Sequence, residues 1–312
     1  MTIPLKRVGV ICGGSGSSKF VRAFANYAGQ NPEYDLGYVV NVADDYWYHG
    51  LYVCPDVDII THALAGNLDV SKGWGVASDS FSGKQFLSKI SDSPEWFSLG
   101  DSDTALCLRR VELMKKGWRL STVSDYFRSC FNIKSPIIPA TDDPVTTYFR
   151  TASGLMHLQQ FWVKNKALPV TNEIEYVGLE SAKPNPEALS YISKFAIICP
   201  ANPVTSILPT IRMKRVEKNL VKSRVVGISP FIGNNPFSGP AAKLMSLINV
   251  EANSFGVASL YSRVLKLFFV HVSEDPQIFS RIRDLGIECV KTNIMMDETS
   301  SQAIAQEIMN SL

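Results

Sequence analysis

Asp44, Asp45, Asp56 and Asp58 fall within fifteen residues of one another, in the stretch VVNVADDYWYHGLYVCPDVD. Trp47, Tyr48, His49 and Tyr52 are interleaved with them. Carboxylates gathered this closely repel unless a divalent cation or a hydroxyl-bearing ligand lies between them. Mg²⁺ suits one or two carboxylates together with phosphate oxygens. The neighbouring rings offer faces on which a flat ligand can stack. Taken singly, Asp56 and Asp58 also read as caps of the helix that follows in DIITHALAG.

A second constellation precedes this one. CGGSGSSK follows a strand and opens a helix. Gly13, Gly14 and Gly16 let backbone N–H groups turn toward an anion, the helix N-terminus adds positive potential, and Ser15, Ser17 and Ser18 supply hydroxyls. The Walker A spacing is absent, and Lys19 stands where G-x-G-x-x-G needs its third glycine. A tight turn without a ligand is the plainer alternative. Further on, CPANPVTS brings Asn202, Thr205 and Ser206 to a helix start. GISPFIGNNPFSGPAAKLM places Ser229, Gly233, Asn234 and Gly239 in a loop able to offer amides and N–H groups to a base or phosphate. SLGDSDTA, with Ser102, and PATDDPVTTY, with Thr146, are two more Asp-bearing loops, each explicable as an Asx turn or cap. MHLQQFW sets His157 and Trp162 five apart, a spacing that core packing also produces.

These residues need a scaffold. Arg7–Cys12 reads as a buried strand, Lys19–Ala28 as a helix and Leu36–Val42 as the next strand, the opening of a parallel doubly wound sheet. Strand-like KFAIIC, SRVVGI, LKLFFVHV and GIECVKT recur after residue 192, with helical segments between them. One of these is VTSILPTIRMKRVEKNL, read as a single helix. The predicted fold is α/β, Rossmann-like and mainly parallel. Residues 1–70 and 192–312 form the core carrying the nucleotide and metal site. Residues 71–191 form a helical and antiparallel insertion over the crevice, contributing to the acceptor pocket. Its expected elements are helices over Gln85–Ile90, Thr104–Lys116 and Thr122–Cys130, and strands over Thr146–Arg150, Gly154–His157 and Glu173–Val177.

The bulk properties exclude several classes. The 312 residues are 46% hydrophobic and 19% charged, with a net charge of +2. That is an ordinary globular composition with no basic field for nucleic acid. The six cysteines lack CxxC spacing, so a disulfide framework or zinc site is not expected. With four histidines, a metal would be held by carboxylate oxygens. No apolar run reaches membrane-spanning length and no signal-peptide core is visible, so the expectation is a cytoplasmic protein without membrane contact.

The motifs also occur in a characteristic order: VVNVADDYWYHGLYVCPDVD, GWG at Gly73–Gly75, LGDSD, PATDDPVTTY, MHLQQFW, ANPVTSI, SPFIGNNPFSGPAAKLM and NSFGVASLY. In this the chain resembles the 2-phospho-L-lactate transferase family of coenzyme F420 biosynthesis over nearly its whole length. The resemblance implies a Mg²⁺-dependent homodimer. It implies a guanosine diphosphate-linked donor bearing a lactate, enolpyruvate or glycerate group, and the deazaflavin 7,8-didemethyl-8-hydroxy-5-deazariboflavin as acceptor, with GMP released. On that footing Asp44 and Asp58 bind the metal, and Asp44, Asp45 and Asp58 are the catalytic carboxylates. Gly13, Gly14, Ser15, Gly16, Lys19, Asn202, Ser206, Ser229, Gly233, Asn234 and Gly239 hold the donor nucleotide. Asp56, Asp58, Trp47, His49, Ser102, Thr146, His157 and Trp162 meet the acceptor.

Two departures stand out. The first loop carries Ser15 where the family has Thr, which keeps the hydroxyl. The family's Gly-Asp-Arg-Asp reads Gly100-Asp101-Ser102-Asp103, losing an Arg associated with the deazaflavin. An NAD-dependent dehydrogenase is the first rival reading. A nucleotide-sugar-binding regulator of the related gluconeogenesis-factor family is the second, and that family lacks the MHLQQFW and ATDDPVT features.

Overall fold

The structure, a computed structural model, describes residues 5–91, 96–237, 240–295 and 298–312. Seven strands make one sheet: β1 (Lys6–Cys12), β2 (Tyr34–Val40), β3 (Ile137–Pro139), β4 (Phe195–Ile198), β5 (Arg224–Ile228), β6 (Leu267–His271) and β7 (Glu288–Thr292). Their order is β7-β6-β5-β4-β1-β2-β3, and every pairing is parallel. This is a Rossmann-like doubly wound sheet. The strand order reverses between β1 and β4, so the loops after those two strands part there and leave a crevice.

Both faces of the sheet are buried, which is why its strands read as apolar runs. On β1, Val8, Val10 and Cys12 point to one core and Ile11 to the other. Helix α1 (Gly14–Gln30) covers the first face with Phe20, Val21 and Phe24, all fully buried. Each contributes about 1.5–3 kcal/mol of burial. Helix α2 (Pro55–Ala65) and the last helix, Glu298–Asn310, lie on the same side.

The segment between β2 and β4 holds helices α3 (Ser82–Ile90) and α4 (Asp101–Lys115), the helix Leu120–Cys130, and an antiparallel sheet of Thr146–Thr151, Gly154–His157 and Thr171–Val177. Its elements match the predicted ones within a few residues. One was not foreseen: Ile137–Pro139 returns to the central sheet as edge strand β3 beside Tyr38–Val40. Three residues, the last a proline, carry too little pattern to announce a strand. The region is therefore woven into the sheet as well as laid over it.

The helix expected over VTSILPTIRMKRVEKNL is broken into a π-helical turn, Pro203–Ile207, and helices Leu208–Ile211 and Lys214–Leu220. Pro209 is the physical cause of the first break. It has no N–H to offer the carbonyls four and five residues earlier. Those carbonyls, on Thr205 and Val204, instead accept from the Asn41 side chain at 3.1 Å and the Tyr176 hydroxyl at 2.6 Å.

Candidate active site

The turn after β1 is held open by its glycines. A Cβ on Gly13 would lie 2.4 Å from an Asp56 oxygen. Gly14 has φ +65°, and a Cβ there would meet the Ser206 hydroxyl at 3.1 Å. α1 starts at once, so its first-turn N–H groups have no helical acceptor. That of Gly14 donates to Asp56 Oδ1 at 2.7 Å, while Ser15 and Gly16 line the crevice. The three serines divide. Ser17 is buried and bonded to Gly13, and Ser18 donates to the Ser15 carbonyl. Ser15 alone of the three lines the crevice.

Across from this turn, Asp44 and Asp56 meet. Asn41 Nδ2 sits between them, donating to Asp56 Oδ2 at 2.9 Å, to Asp44 Oδ1 at 3.3 Å and to the Thr205 carbonyl. Burial pushes the Asp44 carboxyl well above the usual carboxylate range, and the Asp56 charge adds to this. Burial pushes Asp56 up to about 6, against hydrogen bonds from Asn41, Gly14 and Ser206 that pull it down. The two acids thus share a site that disfavours double ionisation. Both line a crevice of about 160 Å³ with Ser15, Trp162, Asn202 and Ser206. Among the described residues no lysine or arginine pairs with either acid. Hard oxygen donors without a cationic partner fit a divalent ion such as Mg²⁺. No group of three His, Cys, Asp or Glu side chains among the described residues is arranged to hold a metal alone, so ligand oxygens would have to complete the shell.

Asp45 and Asp58 are turned the other way. The structure groups Asp44 with Asp56, where the sequence reading had paired it with Asp58. Asp58 forms a buried ion pair with Arg110, whose guanidinium also donates to the Tyr52 carbonyl at 2.9 Å. Arg110 is 1% exposed, and no sequence pattern marked it as the partner. Burial raises the Asp58 carboxyl while the Arg110 charge opposes the rise. Asp45 is 5% exposed, and its carboxylate faces the Cys54 thiol and the Tyr52 hydroxyl. Burial raises it well above the usual range, with Cys54, Arg110 and Tyr52 close enough to moderate the rise. Asp45 therefore stands behind the crevice wall. His62, also buried, faces Asp103 at 3.3 Å and Asn67 at 3.0 Å. Burial works against its charge, but Asp103 and Asp58 outweigh that and raise its pKa.

The aromatic residues are sorted by a hairpin. Tyr46–Tyr48 and Leu51–Val53 pair antiparallel, joined through His49 and Gly50 at φ 49° and 76°, the left-handed pair that two-residue hairpins favour. Alternation sends Tyr46 and Tyr48 to one face and Trp47 to the other. Tyr46 lies 4.5 Å from the His157 ring, and Tyr48 lies 5.4 Å from Phe97 and 5.6 Å from Trp96. Trp47 instead rests on Tyr52 at 4.9 Å and is 55% exposed. The expected ring of Trp47, His49, His157 and Trp162 is thus not assembled on one face. His49 packs edge-on to Tyr48 at the turn, and Trp162 lines the crevice. Tyr46 and Tyr148 flank His157 at 4.5 and 5.7 Å, and Tyr48, Trp96 and Phe97 gather on Tyr46. The alternation of YWY was the available signal. His157 bonds the Asp45 carbonyl through Nε2 at 3.0 Å, and burial lowers its pKa to about 4, so it is neutral at pH 7.

The remaining sequence-predicted residues are scattered around this centre. Lys19 lines an adjoining cavity of about 330 Å³ with Ser15, Gly16, Lys72, Ile232 and Phe237. Gly233 and Asn234 form the turn next to Ile232. Asn202 caps the π-helical turn, accepting from Val204 N–H at 3.0 Å. Ser229 is not brought to the crevice: it is fully buried, accepting from Phe231 N–H and bonded to Ser254. Thr146 opens the first strand of the antiparallel sheet. Gly239 lies outside the described residues. Ser102 sits in the first turn of α4, its N–H donating to Asp79 at 3.0 Å, while Asp101 accepts from Ser80, Ser82 and Gly83. Those Asp-bearing loops do act as caps. No helix among the described residues is long and apolar enough to cross a membrane.

Comparison with known proteins gives this geometry a context. A solved structure of a UPF0052 family member from Bacillus halodurans superposes with a TM-score of 0.65 at 14% identity, over 99% of this chain and 100% of that one; this is a likeness of fold. A 2-phospho-L-lactate transferase of Methanospirillum hungatei is 36% identical, over 88% of this chain and 91% of its own. One from Methanopyrus kandleri is 35% identical, over 97% and 96%. A phosphoenolpyruvate transferase of Streptomyces coelicolor is 31% identical, over 95% of each. The family described as "2-phospho-L-lactate transferase CofD" matches residues 8–309. The chain belongs to the 2-phospho-L-lactate transferase family.

Proposed function

We propose that the protein transfers a phospho-acid group, of the 2-phospho-L-lactate, phosphoenolpyruvate or 3-phosphoglycerate type, from a guanosine diphosphate-linked donor. The acceptor is the terminal ribityl hydroxyl of the deazaflavin 7,8-didemethyl-8-hydroxy-5-deazariboflavin, and GMP leaves. The observation that carries this reading is the single crevice lined both by Ser15 and Gly16 of the α1 N-terminus and by the paired acids Asp44 and Asp56. A diphosphate set on the helix N-terminus brings its outer phosphorus beside the acids.

Each part has a task. Ser15, Gly16 and Lys19 bind the diphosphate, and the cavity toward Ile232 and Phe237 receives the nucleoside. Tyr46, Tyr48, Trp96 and His157 offer stacking surface for a tricyclic ring beside the crevice. The ribityl oxygen forms the new O–P bond as the bond to GMP breaks, and its proton passes to a carboxylate of the crevice. Asp44 and Asp56 would hold Mg²⁺, which supplies charge neutralisation on the phosphoryl oxygens. Asp58, Arg110 and Asp45 act from behind by fixing α2 and the hairpin.

The test is direct. Protein, Mg²⁺, deazaflavin and each of the three guanosine diphosphate-linked donors are incubated, and products are read by mass spectrometry. A phosphodiester adduct of the deazaflavin with stoichiometric GMP is expected from one donor. Absence of adduct from all three, with the protein folded, rejects the reading. A nucleotide-sugar that binds tightly instead would favour the regulatory alternative.

A further inference from the structure

A second cavity, of about 450 Å³, lies away from the crevice between the antiparallel sheet and the helices Leu208–Ile211, Lys214–Leu220 and Ser254–Tyr261. Four charged groups line it, Arg212, Arg263, Glu180 and Glu217. Arg263 is committed to Glu217 at 2.9 Å. Arg212 is exposed and has no ion-pair partner among the described residues, so its planar fork of donors is open to a phosphate or carboxylate. Glu180 and Glu217 present acceptors on the same lining.

This cavity and the crevice share a wall. Tyr176 lines the second cavity and donates to the Val204 carbonyl at 2.6 Å. The next carbonyl along, Thr205, accepts from the Asn41 amide that also holds Asp44 and Asp56. Pro209 withholds one helical donor from each carbonyl, and each accepts from a side chain of one of the two sites. Burial raises the Tyr176 pKa, the Arg212 charge opposes the rise and the Asp44 charge adds to it. π-Helical turns are frequent at functional sites.

We propose that this cavity is a second ligand site, for a small anion carrying its own hydrogen-bond donors, and that it is coupled to the crevice through Tyr176 and the turn Pro203–Ile207. Arg212 takes the anionic group, while Glu180 and Glu217 take the donors. Added negative charge on the Tyr176 side opposes negative charge in the crevice, so the coupling is negative. Linkage makes it reciprocal.

The test reads the site itself. The Arg212 Nε–Hε signal is followed by ¹⁵N-edited NMR during titration with inorganic phosphate and, separately, with glycolate. The two arms distinguish a phosphate-bearing ligand from a carboxylate-bearing one. A saturable shift with either probe is expected, whether or not the protein proves to be a transferase. An Arg212 signal unmoved by both overturns the site. The coupling is read from GDP affinity by calorimetry. The saturating probe should weaken GDP binding about fivefold, at the lower end of typical couplings. Arg212→Ala should remove that component and leave only direct competition in the crevice. Tyr176→Phe, which keeps the ring and loses the bond to Val204, should keep the Arg212 shift and lose the coupling. An undiminished effect in Arg212→Ala would overturn the coupling.

Discussion

Replacing Asp44 by Asn should make the metal-free protein more stable and catalytically dead. The acids Asp44 and Asp56 are buried at 7% and 2% exposure with one amide between them. Asp56 is pushed up to about 6, against about 3.9 for a free aspartate, and at 1.36 kcal/mol per pKa unit that is about 3 kcal/mol. The sign follows from linkage. A carboxylate whose folded pKa is raised contributes stability that is fully present below its unfolded pKa and is lost as pH rises through the folded one. The native protein therefore loses stability between about pH 4 and pH 6 on account of Asp56, and Asp44, raised for the same reason, adds a loss of the same sign. Asn keeps the shape of Asp44 and cannot ionise, so the variant escapes the Asp44 share of that loss, which burial and the Asp56 charge produce. For a chain of this length each kcal/mol so returned raises Tm by about 1.5 °C. Thermal unfolding with chelator at pH 4, 6 and 8 checks it: wild type and variant should nearly coincide at pH 4 and separate by pH 8. A variant no more stable than wild type at pH 8, or equally separated at pH 4, would refute the claim that these two carboxylates oppose each other.

Other outcomes follow from the same geometry. Arg110→Met leaves Asp58 as an unpaired buried charge and should cost about 3–5 kcal/mol in urea unfolding, with much of the loss recovered in the double variant Asp58→Asn/Arg110→Met; equal costs for single and double variants would contradict the pairing. GDP at a hundred times its dissociation constant should stabilise the fold by about 2.7 kcal/mol, and ADP and UDP by less if the turn at Gly233 and its neighbours reads the guanine; equal shifts in Tm would mean the base is not read. Ser102→Arg should tighten deazaflavin binding by the worth of a charge-assisted hydrogen bond, about 1.5–3 kcal/mol, without changing GDP affinity. Unchanged acceptor binding by fluorescence would reject a simple missing contact.

Much of the core was legible because parallel strands buried on both faces leave unbroken apolar runs between Gly and Pro turns. RVGVIC and KFAIIC announce themselves in this way, and CGGSGSS marks the turn between strand and helix. The gathering of Asp44, Asp45, Asp56 and Asp58 was legible too, but not its division. Adjacent residues in a loop can point to opposite sides, so Asp44 faces Asp56 and Asp45 faces the Arg110 side. Arg110 itself lies 52 residues from Asp58, and nothing local ties them. Trp96 and Phe97 reach the hairpin by a long-range contact of the same kind. The break at Pro209 was readable in principle from the proline alone. Its consequence, two carbonyls handed to Asn41 and Tyr176, needed the tertiary structure.

The most direct measurement is single-turnover GMP release from the guanosine diphosphate-linked donor, with deazaflavin and saturating Mg²⁺, in wild type, Asp44→Asn and Asp56→Asn. If the paired acids of the crevice stabilise charge on the transferring phosphoryl group, each variant should lose several kcal/mol of barrier lowering, on the order of a thousandfold in rate, while remaining folded by circular dichroism. Turnover near that of wild type in both folded variants would contradict the assignment of the reaction to Asp44 and Asp56.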